Sequence, residues 1–307
     1  MSNGKKIDVA VVGEIYIDHV FTGFHRWPAP GEEVTTDAYA REVGGGAATT
    51  ACGLARLGRK VNLIGLIGDS DAAWIGQRLS GFGVGLDGLR LTPQGATGVT
   101  VSVSTQGDRS FFTHVGVNKD LSGVLIAEET LSHLTCARHV HFALPLERHV
   151  ARELLPRLKA AGVTTSIDVG FQPQWLNEAA NSLTLAEVDH FLPNEKEVEL
   201  WCGSTHEDAF FAKAAAAGFT APMFKCGPRG AITTIDGIRY VGEPPKVVAV
   251  DTTGAGDAFD AGFIDALLDH EPPTARLHRA CIVGALSTRA AGALGALPDT
   301  KELRSIL

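Results

Sequence analysis

The segment DTTGAGDAFDAGF, residues 251–263, places one acidic side chain directly after three residues that carry almost no side chain. Asp257 follows Gly254, Ala255 and Gly256, and apolar residues at helical spacing come after it. The first N–H groups of a helix have no partners within the helix, and together with the helix dipole they attract anions. Because the preceding residues are small, an anion can approach these N–H groups closely.

A carboxylate beside an anion-binding turn indicates a particular kind of chemistry. Asp257 would repel an anion at rest, but the two fit together if the carboxylate accepts a proton while negative charge develops nearby. Transfer of a phosphoryl group to an alcohol has these requirements. The alternative is a plain tight turn with Asp257 as helix N-cap, and the motif alone leaves both interpretations open. The valine-rich run at 247–251 predicts a strand, so we expect a strand-to-helix turn.

The composition argues against some classes of partner. The chain has 307 residues and a formal net charge of −8 at pH 7. Nucleic acids and anionic membranes favour basic surfaces, so we expect neither as a partner. The five cysteines are scattered without C-x-x-C spacing, which predicts neither a zinc site nor a disulfide framework. A cytoplasmic location fits this pattern best.

Strands and helices are predicted to alternate along most of the chain. The β-branched run at 7–13 predicts a buried strand, and small and apolar residues at helical spacing predict a helix at 48–58. Further strands are predicted at 60–68, 139–145, 163–169, 190–194 and within 222–236, and further helices at 72–83, 147–162 and 194–203. This order predicts an α/β fold in which helices cover both faces of a mostly parallel sheet.

Two stretches interrupt the alternation. Residues 15–43 show little helical pattern, and 97–116 alternate with period two around a Gln-Gly-Asp turn, as in a β-hairpin. We predict that both inserts form a small β-sheet lid over a core made of 1–14, 44–96 and 117–307. The exposed edges of such a lid favour a homodimer.

The whole segment DTTGAGDAFDAGF resembles the C-terminal motif of the ribokinase-like (PfkB) family of carbohydrate kinases. Five other stretches resemble the family in the same order along the chain: VVGEIYIDHV at 11–20, VGGGAATTACGLARLG at 43–58, GLIGDSDAAWIGQRL at 65–79, NEKE at 194–197 and FKCGPRGA at 224–231. The resemblance implies a ribokinase-like sheet sandwiched by helices. It also implies magnesium-dependent transfer of the ATP γ-phosphoryl group to a primary hydroxyl of a small sugar.

The resemblance assigns the sugar side of the site to the N-terminal motifs. In the family, an aspartate at the end of the first strand region holds a sugar hydroxyl, a role that maps to Asp18. A Gly-Gly pair that approaches the sugar maps to Gly44 and Gly45. Tyr16 and Thr49 complete this predicted substrate site, and Thr49 stands where the family often has asparagine.

The nucleotide side is assigned to the later motifs. The strand-turn that lies against the nucleotide maps to Lys225, Gly227 and Gly230. The N-x-x-E motif of the family, which is tied to the magnesium and phosphate network, maps to Asn194 and Glu197.

Catalysis and a monovalent cation are assigned to the C-terminal motif and the segment before it. The resemblance makes Asp257 the catalytic base and 254–256 the anion hole. In relatives, carbonyl oxygens before the anion hole and in a late loop often line a monovalent cation site. These positions correspond to Asp251, Thr253 and the loop 287–298, which predicts a potassium ion there.

Other functions remain open from the sequence. A nucleoside kinase of the same fold would need an aromatic slot for the base, and the aromatic residues of the inserts fit either that role or the core of the lid: Tyr16, Phe21, Phe24, Trp27, Phe111 and Phe112. Glu14 and Arg41 near the predicted site favour a charged substrate.

Two more functions are of other classes. The same scaffold could serve as a non-catalytic sugar or nucleotide sensor, although Asp257 would then have no use. An NAD-dependent oxidoreductase shares only the α/β alternation, because the G-x-G-x-x-G match at 83–88 follows a helix rather than a strand. His139 and His141 share one face of a strand without acidic or cysteine companions, which argues against a metal site.

Overall fold

The computed structural model of the chain describes residues 5–105 and 109–307. The Gln-Gly-Asp turn of the predicted hairpin, 106–108, lies outside these residues. The strands are β1 (Ile7–Gly13), β2 (Tyr16–Phe21), β3 (Tyr39–Gly44), β4 (Val61–Gly68), β5 (Gly85–Thr92), β6 (Gly98–Ser104), β7 (Arg109–His114), β8 (Ala137–Ala143), β9 (Thr164–Ile167), β10 (His190–Phe191), β11 (Met223–Lys225), β12 (Ala231–Ile235) and β13 (Ile238–Gly242).

The α-helices alternate with the strands of the core. They are α1 (Gly46–Arg56), α2 (Ala72–Ser80), α3 (Leu121–Leu125), α4 (Glu128–Thr135), α5 (Arg148–Ala160), α6 (Pro173–Asn177), α7 (Asn181–Glu187), α8 (Glu195–Cys202), α9 (Glu207–Ala216), α10 (Ala255–Leu268), α11 (Pro273–Ser287) and α12 (Thr300–Arg304). Within the described residues, none of these helices has both the length and the apolar character needed to cross a membrane.

The central sheet is parallel throughout, with the strand order β10-β9-β8-β1-β4-β5. Side chains alternate across β1, so Val9 and Val11 enter the apolar core on one face while Ala10 and Val12 enter the core on the other. A sheet that is buried on both faces needs continuous apolar strands, and the run IDVAVVG supplies one. The α/β prediction is therefore confirmed.

Helices from different parts of the chain cover the two faces. Buried residues of α1, α2, α10, α11 and α12 join the core that contains Val9 and Val11. Buried residues of the helices α3 to α9 join the opposite core. The N-terminal and C-terminal motifs thus lie on helices of the same face.

A separate four-stranded sheet has the order β3-β2-β6-β7 and corresponds to the predicted lid. Strand β2 pairs antiparallel with β3 and parallel with β6, and β6 pairs antiparallel with β7. The interpretation of its aromatic residues as a lid core is wrong for three of them, because Trp27, Phe111 and Phe112 are 48%, 58% and 57% exposed. A single-layered sheet leaves these rings in solvent.

A third, antiparallel sheet has the order β11-β12-β13. An isolated parallel bridge joins Lys225 of β11 to Asn194, which lies between β10 and α8. The strand expected at 247–251 is absent: this segment is irregular, and Val248 and Val250 are 86% and 64% exposed. Val250 and Asp251 donate their N–H groups to the carbonyl of Thr288 instead of to a neighbouring strand.

Candidate active site

The site begins where α10 starts. Gly254 is the N-cap of this helix and has a left-handed backbone conformation with φ of 75°. A Cβ atom added there would lie 2.6 Å from the Cβ atom of Ala293, so both the conformation and the space favour glycine. Ala255 and Gly256 begin the first turn. The Ala255 N–H donates to the Thr252 carbonyl oxygen at 3.2 Å, whereas Gly256 is exposed and has no side chain to cover its N–H group. The small residues therefore stand at a helix start, as the sequence predicts, although an irregular segment and not a strand leads into it.

Asp257 stands between the first turns of two helices. It lies in the first turn of α10, and a Cβ atom added to Gly46, the first residue of α1, would be 2.6 Å from its Oδ1 atom. The Thr50 hydroxyl of α1 donates a hydrogen bond to the Asp257 carbonyl oxygen at 3.1 Å. The structure thus brings together two glycine-rich motifs that are about 200 residues apart in the chain.

The carboxyl group of Asp257 is suited to accept a proton near neutral pH. Burial raises its pKa to about 7, the negative charge of Asp168 adds to this shift, and the ammonium group of Lys225 opposes it. A general base works best when its pKa lies near the operating pH. The side chain nevertheless remains partly exposed, so a hydroxyl group can reach it.

The predicted sugar-side residues lie around the turn between β3 and α1. A Cβ atom added to Gly44 would overlap the Asp18 carboxyl group, so that carboxyl group lies directly against the Gly44 backbone. Burial raises the pKa of Asp18 to about 6, and the charge of Glu42 adds to the shift. Gly45, the N-cap of α1, packs as closely against the carbonyl of Glu14.

Tyr16 and Thr49 are held by hydrogen bonds at the same place. The Tyr16 hydroxyl donates to Glu14 Oε2 at 2.7 Å. Thr49 is buried, and its hydroxyl donates to the carbonyl of Gly45 at 3.4 Å. The structure therefore places Thr49 behind the Gly-Gly turn, where it supports the start of α1.

The expectation that Arg41 favours a charged substrate is not supported by its position. Strand register pairs Glu42 with Asp18 and pairs Arg41 with His19, so Arg41 points to the face opposite Asp18. There its guanidinium group bonds to Asp71 at 3.2 Å and lies 4.0 Å from the ring centroid of Trp74.

A pocket of about 560 Å³ opens on the other side of the anion-binding turn. The residues predicted to bind nucleotide share its lining with two residues of that turn: Asn194, Lys225, Gly227, Gly230, Ala255 and Gly256. Pro244, Pro245, Val247 and Phe259 add an apolar wall. A pocket of this size, mainly apolar with a few polar groups at one end, is typical of small-ligand sites.

The pocket also explains the irregular segment at 247–251. Val247 and Ala249 line the cavity, so the valine-rich run forms part of its wall instead of a sheet. A pocket wall therefore stands where the sequence predicted a strand.

Asn194 and Glu197 form a reciprocal capping box at the start of α8. The Asn194 side chain accepts hydrogen bonds from the N–H groups of Lys196 and Glu197, and Glu197 Oε2 accepts from the Asn194 N–H at 2.9 Å. Burial and the charge of Asp168 raise the pKa of Glu197 to about 8. Both Glu197 oxygens accept hydrogen bonds from Asn194. Glu197 therefore holds Asn194 in place at the start of α8, from which Asn194 reaches the pocket.

Asp251 connects the start of the anion-binding turn to the late loop. Its Oδ1 atom accepts hydrogen bonds from the N–H and hydroxyl groups of Thr253, and its Oδ2 atom accepts from the Gly292 N–H at 3.0 Å. The segments predicted to line a monovalent cation site are thus adjacent to each other.

Sequence reasoning missed two acidic residues next to the site, Asp168 and Asp260. Lys225 Nζ lies 2.6 Å from Asp168 Oδ2 and 3.1 Å from Asp260 Oδ1. Asp168 directly follows β9, at the carboxyl edge of a parallel sheet where ligands bind, and Asp260 follows Asp257 by one helical turn. These two signals were available in the sequence.

A match to a protein-family description covers nearly the whole chain. Residues 6–300 match the pfkB family carbohydrate kinase. Among individual proteins, the chain is 27% identical to a 2-dehydro-3-deoxygluconokinase of Bacillus subtilis (strain 168), over 98% of this chain and 96% of that protein. It is 31% identical to an ATP-dependent ribose-1-phosphate kinase of Halopiger xanaduensis, with 88% of each covered.

Solved structures share the fold. An Arabidopsis thaliana ribokinase complexed with ribose and ATP superimposes with a TM-score of 0.83 at 24% identity, covering 98% of both chains. A putative ribokinase II of E. coli in complex with ATP and Mg²⁺ gives 0.82 at 22% identity, covering 97% of this chain and 98% of the other. A Burkholderia thailandensis nucleoside kinase in complex with inosine gives 0.79 at 20% identity, covering 97% of both.

Proposed function

The chain belongs to the pfkB family of carbohydrate kinases, and from this premise we propose that it transfers the γ-phosphoryl group of ATP to a primary hydroxyl group of a small sugar. The observation that carries the proposal is the position of Asp257. Its carboxyl group lies at the first turns of α10 and α1, with a pocket large enough for a nucleotide on one side and Asp18 with the Gly44–Gly45 turn on the other.

The proposed mechanism assigns one task to each part of the site. Asp18 accepts a hydrogen bond from a sugar hydroxyl, and the backbone at Gly44 and Gly45 allows the sugar to approach α1. Asp257 takes the proton of the attacking hydroxyl group. Within the 254–257 turn the Ala255 N–H is taken by the Thr252 carbonyl oxygen, so the N–H groups of Gly256 and Asp257 stabilise the negative charge on the transferred phosphoryl group.

Magnesium is expected to bind together with ATP. Mg²⁺ usually binds through one or two carboxylates together with substrate phosphates. Asn194 lines the pocket, and Glu197 is buried behind it, so the pair fits an outer role in which it orders the groups around the ion. When bound, Mg²⁺ would neutralise charge on the phosphates, and the protein residues supply orientation and proton transfer.

A monovalent cation fits the junction of two segments near the anion-binding turn. We place it beside Asp251, where the 251–253 segment meets the late loop at Gly292. A bound ion would fix the start of α10. Potassium is then expected to lower the KM for ATP relative to an enzyme assayed with tetramethylammonium as the only monovalent cation, and equal KM values in both salts would exclude the site.

A screen of phosphoryl acceptors tests the proposed function. ADP release is measured with neutral aldoses and ketoses, sugar acids and nucleosides, and the phosphorylated carbon of any product is located by NMR. We expect turnover with a neutral sugar and phosphate on a primary carbon. ADP release with no acceptor of the panel, combined with tight ligand binding, would support a sensor instead.

A nucleoside acceptor is the second candidate, and one observation favours it. Phe111 pairs with Ser102 across β6 and β7, and Asp18 pairs with Thr100 across β2 and β6, so Phe111 and Asp18 share one face of the lid. Because Phe111 is 58% exposed, its ring is available to stack on a base. The nucleosides in the screen decide between the two acceptors.

A further inference from the structure

Three ionisable side chains are buried together directly beneath the anion-binding turn. Lys225, Asp168 and Asp260 are 5%, 8% and 0% exposed. Lys225 Nζ contacts Asp168 Oδ2 at 2.6 Å and both Asp260 oxygens at 3.1 and 3.4 Å. The proposed mechanism gives no task to either carboxyl group.

The charges of this group balance only if it holds one extra proton. Two ionised carboxylates and one ammonium would leave a net negative charge away from water, which is expensive. Asp168 has an additional donor, because its Oδ1 atom accepts the Gly170 N–H at 2.9 Å. Among the residues that the structure describes, no backbone N–H donates to Asp260, and the imidazole Nε2 of His141 lies 4.0 Å from Asp260 Oδ2. The geometry therefore favours an ionised Asp168 and a protonated Asp260.

The group lies next to the proposed catalytic base. Carboxyl oxygens of Asp168, Asp257 and Asp260 are all within 4.8 Å of one another. A Cβ atom added to Gly256 would be 3.5 Å from Lys225 Nζ, so the ammonium group also lies under the anion-binding turn. Any change in the balance of these charges acts on Asp257 and on an anion bound above it.

We propose that Asp168 and Asp260 are positioning residues that share one negative charge and one proton, and that they thereby hold the Lys225 ammonium group electrically balanced beneath Asp257. This inference rests on the proposed role of Asp257 as the base. If either carboxyl group loses its ability to ionise, the other can supply the single charge that Lys225 requires.

The titration behaviour of the individual groups agrees with this assignment. Burial by itself would raise the pKa of Asp168, but the Lys225 ammonium and the hydrogen bonds to this carboxyl group hold it below its usual value. Burial raises the pKa of Asp260 well above its usual value, in spite of Lys225. Burial lowers the pKa of His141 to about 4, so the imidazole is neutral and adds no charge.

The charged and titratable groups that face Asp257 come from several elements. Asp168 follows β9, Lys225 ends β11, and Asp260 lies one turn along α10. Glu197 on α8 is also close enough to interact with Asp257, and burial keeps it protonated below about pH 8. The first turn of α1 contributes the uncharged N–H dipoles near Gly46.

A double-mutant cycle tests the sharing of charge. Asp168→Asn, Asp260→Asn and the double variant are compared by kcat/KM across pH. We expect each single variant to lose less than about tenfold, because the remaining carboxyl group takes over the charge. The double variant leaves the Lys225 ammonium uncompensated. It is expected to lose far more than the product of the single losses.

The pH profile of the double variant provides the readout that a merely structural role would not change. An uncompensated ammonium group stabilises the Asp257 carboxylate, so the acid limb of kcat/KM should shift to lower pH by about one unit or more. The single variants should keep the wild-type limb. Multiplicative losses, or an unmoved limb in the double variant, would overturn the proposal.

A triple variant covers the case in which the double variant does not fold. Adding Lys225→Met to the double variant removes the buried cation, so thermal stability should return towards that of the single variants. Failure of the triple variant to regain stability would overturn charge balance as the cause. The variant Asp257→Asn separates this inference from the proposed function. If its kcat/KM still falls at low pH as in the wild type, Asp257 is not the base, whatever the double-mutant cycle shows.

Discussion

Asp257 is buried enough for its pKa to rise, yet it remains exposed enough for a hydroxyl group to reach it. Its pKa of about 7 comes mainly from burial, then from Asp168, and Lys225 opposes the rise. In water the same carboxyl group would titrate near pH 4 and would be a weak base. At the residue scale, the proposed chemistry thus depends on the surroundings that the fold builds around one side chain.

The rate should depend on pH through this group. The base must be ionised to accept a proton, so kcat/KM is expected to fall as the pH drops through about 7. Asp18, with a pKa raised to about 6 by burial and by Glu42, should add a second loss below that. Measurement of kcat/KM from pH 5 to 9 checks this. A profile that stays flat down to pH 5 would contradict the raised pKa of Asp257.

The close contact between Gly44 and Asp18 makes a second prediction. Gly44→Ala would force a methyl group into the Asp18 carboxyl group, so the KM for the acceptor should rise while the KM for ATP stays nearly constant. Gly123→Ala is the matched control, because a Cβ atom there meets nothing within 4 Å. Equal effects of Gly44→Ala on both KM values would show that Gly44 affects the whole site and does not act on the acceptor alone.

At the scale of elements, small residues let the site-bearing helices approach one another. A Cβ atom added to Gly53 of α1 would lie 2.9 Å from the Cβ atom of Ala261 of α10. A Cβ atom added to Gly262 would lie 2.9 Å from the Cα atom of Ala280 of α11. This close packing brings the first turns of α1 and α10 together, with Asp257 between them.

Ion pairs connect α10 with α11 and with the residue region after α1, at the end of α10 that is far from Asp257. Asp265 of α10 contacts Arg59, just after α1, at 2.5 Å and Arg279 of α11 at 2.7 Å, and its side chain is only 6% exposed. Without Asp265, Arg59 would keep only Asp269, and Arg279 would keep Asp269 and Glu271, all of them more exposed partners, so the buried part of the network would be lost. Asp265→Ala is therefore expected to lower the free energy of unfolding by about 3 kcal/mol in urea titration.

An exposed ion pair provides the control for this measurement. Arg157 and Glu128 contact each other at 2.7 Å with side chains 46% and 79% exposed, so Arg157→Ala should cost less than about 1 kcal/mol. Similar losses for Asp265→Ala and Arg157→Ala would show that burial does not govern the strength of these pairs.

The sequence predicts those elements whose apolar pattern decides their structure. The run at 7–13 is a strand because both faces are buried, and the N-x-x-E of 194–197 caps a helix as that spacing favours. The run at 247–251 has similar β-branched residues but lines a cavity and pairs with no neighbouring strand. The local sequence does not show whether a partner strand lies beside it. Tertiary context overrides β propensity there.

The sequence predicts only those site residues that belong to a recognisable motif. The glycines and Asp257 are visible because their spacing is unusual, and the structure places them at a helix start as expected. The strand-end position of Asp168 and the helical spacing of Asp260 from Asp257 can be seen in the sequence, but they do not show what these residues contact. Their pairing with Lys225 depends on packing between segments far apart in the chain, which no local pattern reveals.

At the scale of the whole molecule, one face of the lid is rich in exposed aromatic rings. Strand register places Tyr39 and Phe112 on the face opposite Asp18, and Trp27 stacks on Phe112 with centroids 6.0 Å apart. Large exposed apolar patches mark interaction surfaces, and the predicted homodimer would cover this one. Sedimentation should show a dimer that Phe112→Glu weakens. A monomeric wild-type protein at assay concentration would exclude this pairing.

The central claim is that Asp257 removes the proton of the acceptor hydroxyl while the first turn of α10 holds the phosphoryl charge. Its most direct test is the turnover of Asp257→Asn, measured together with the Kd for ATP by titration calorimetry. The account predicts a loss in kcat of at least about a hundredfold with nearly unchanged ATP affinity. Turnover close to that of the wild type, with ATP bound equally well, would contradict it.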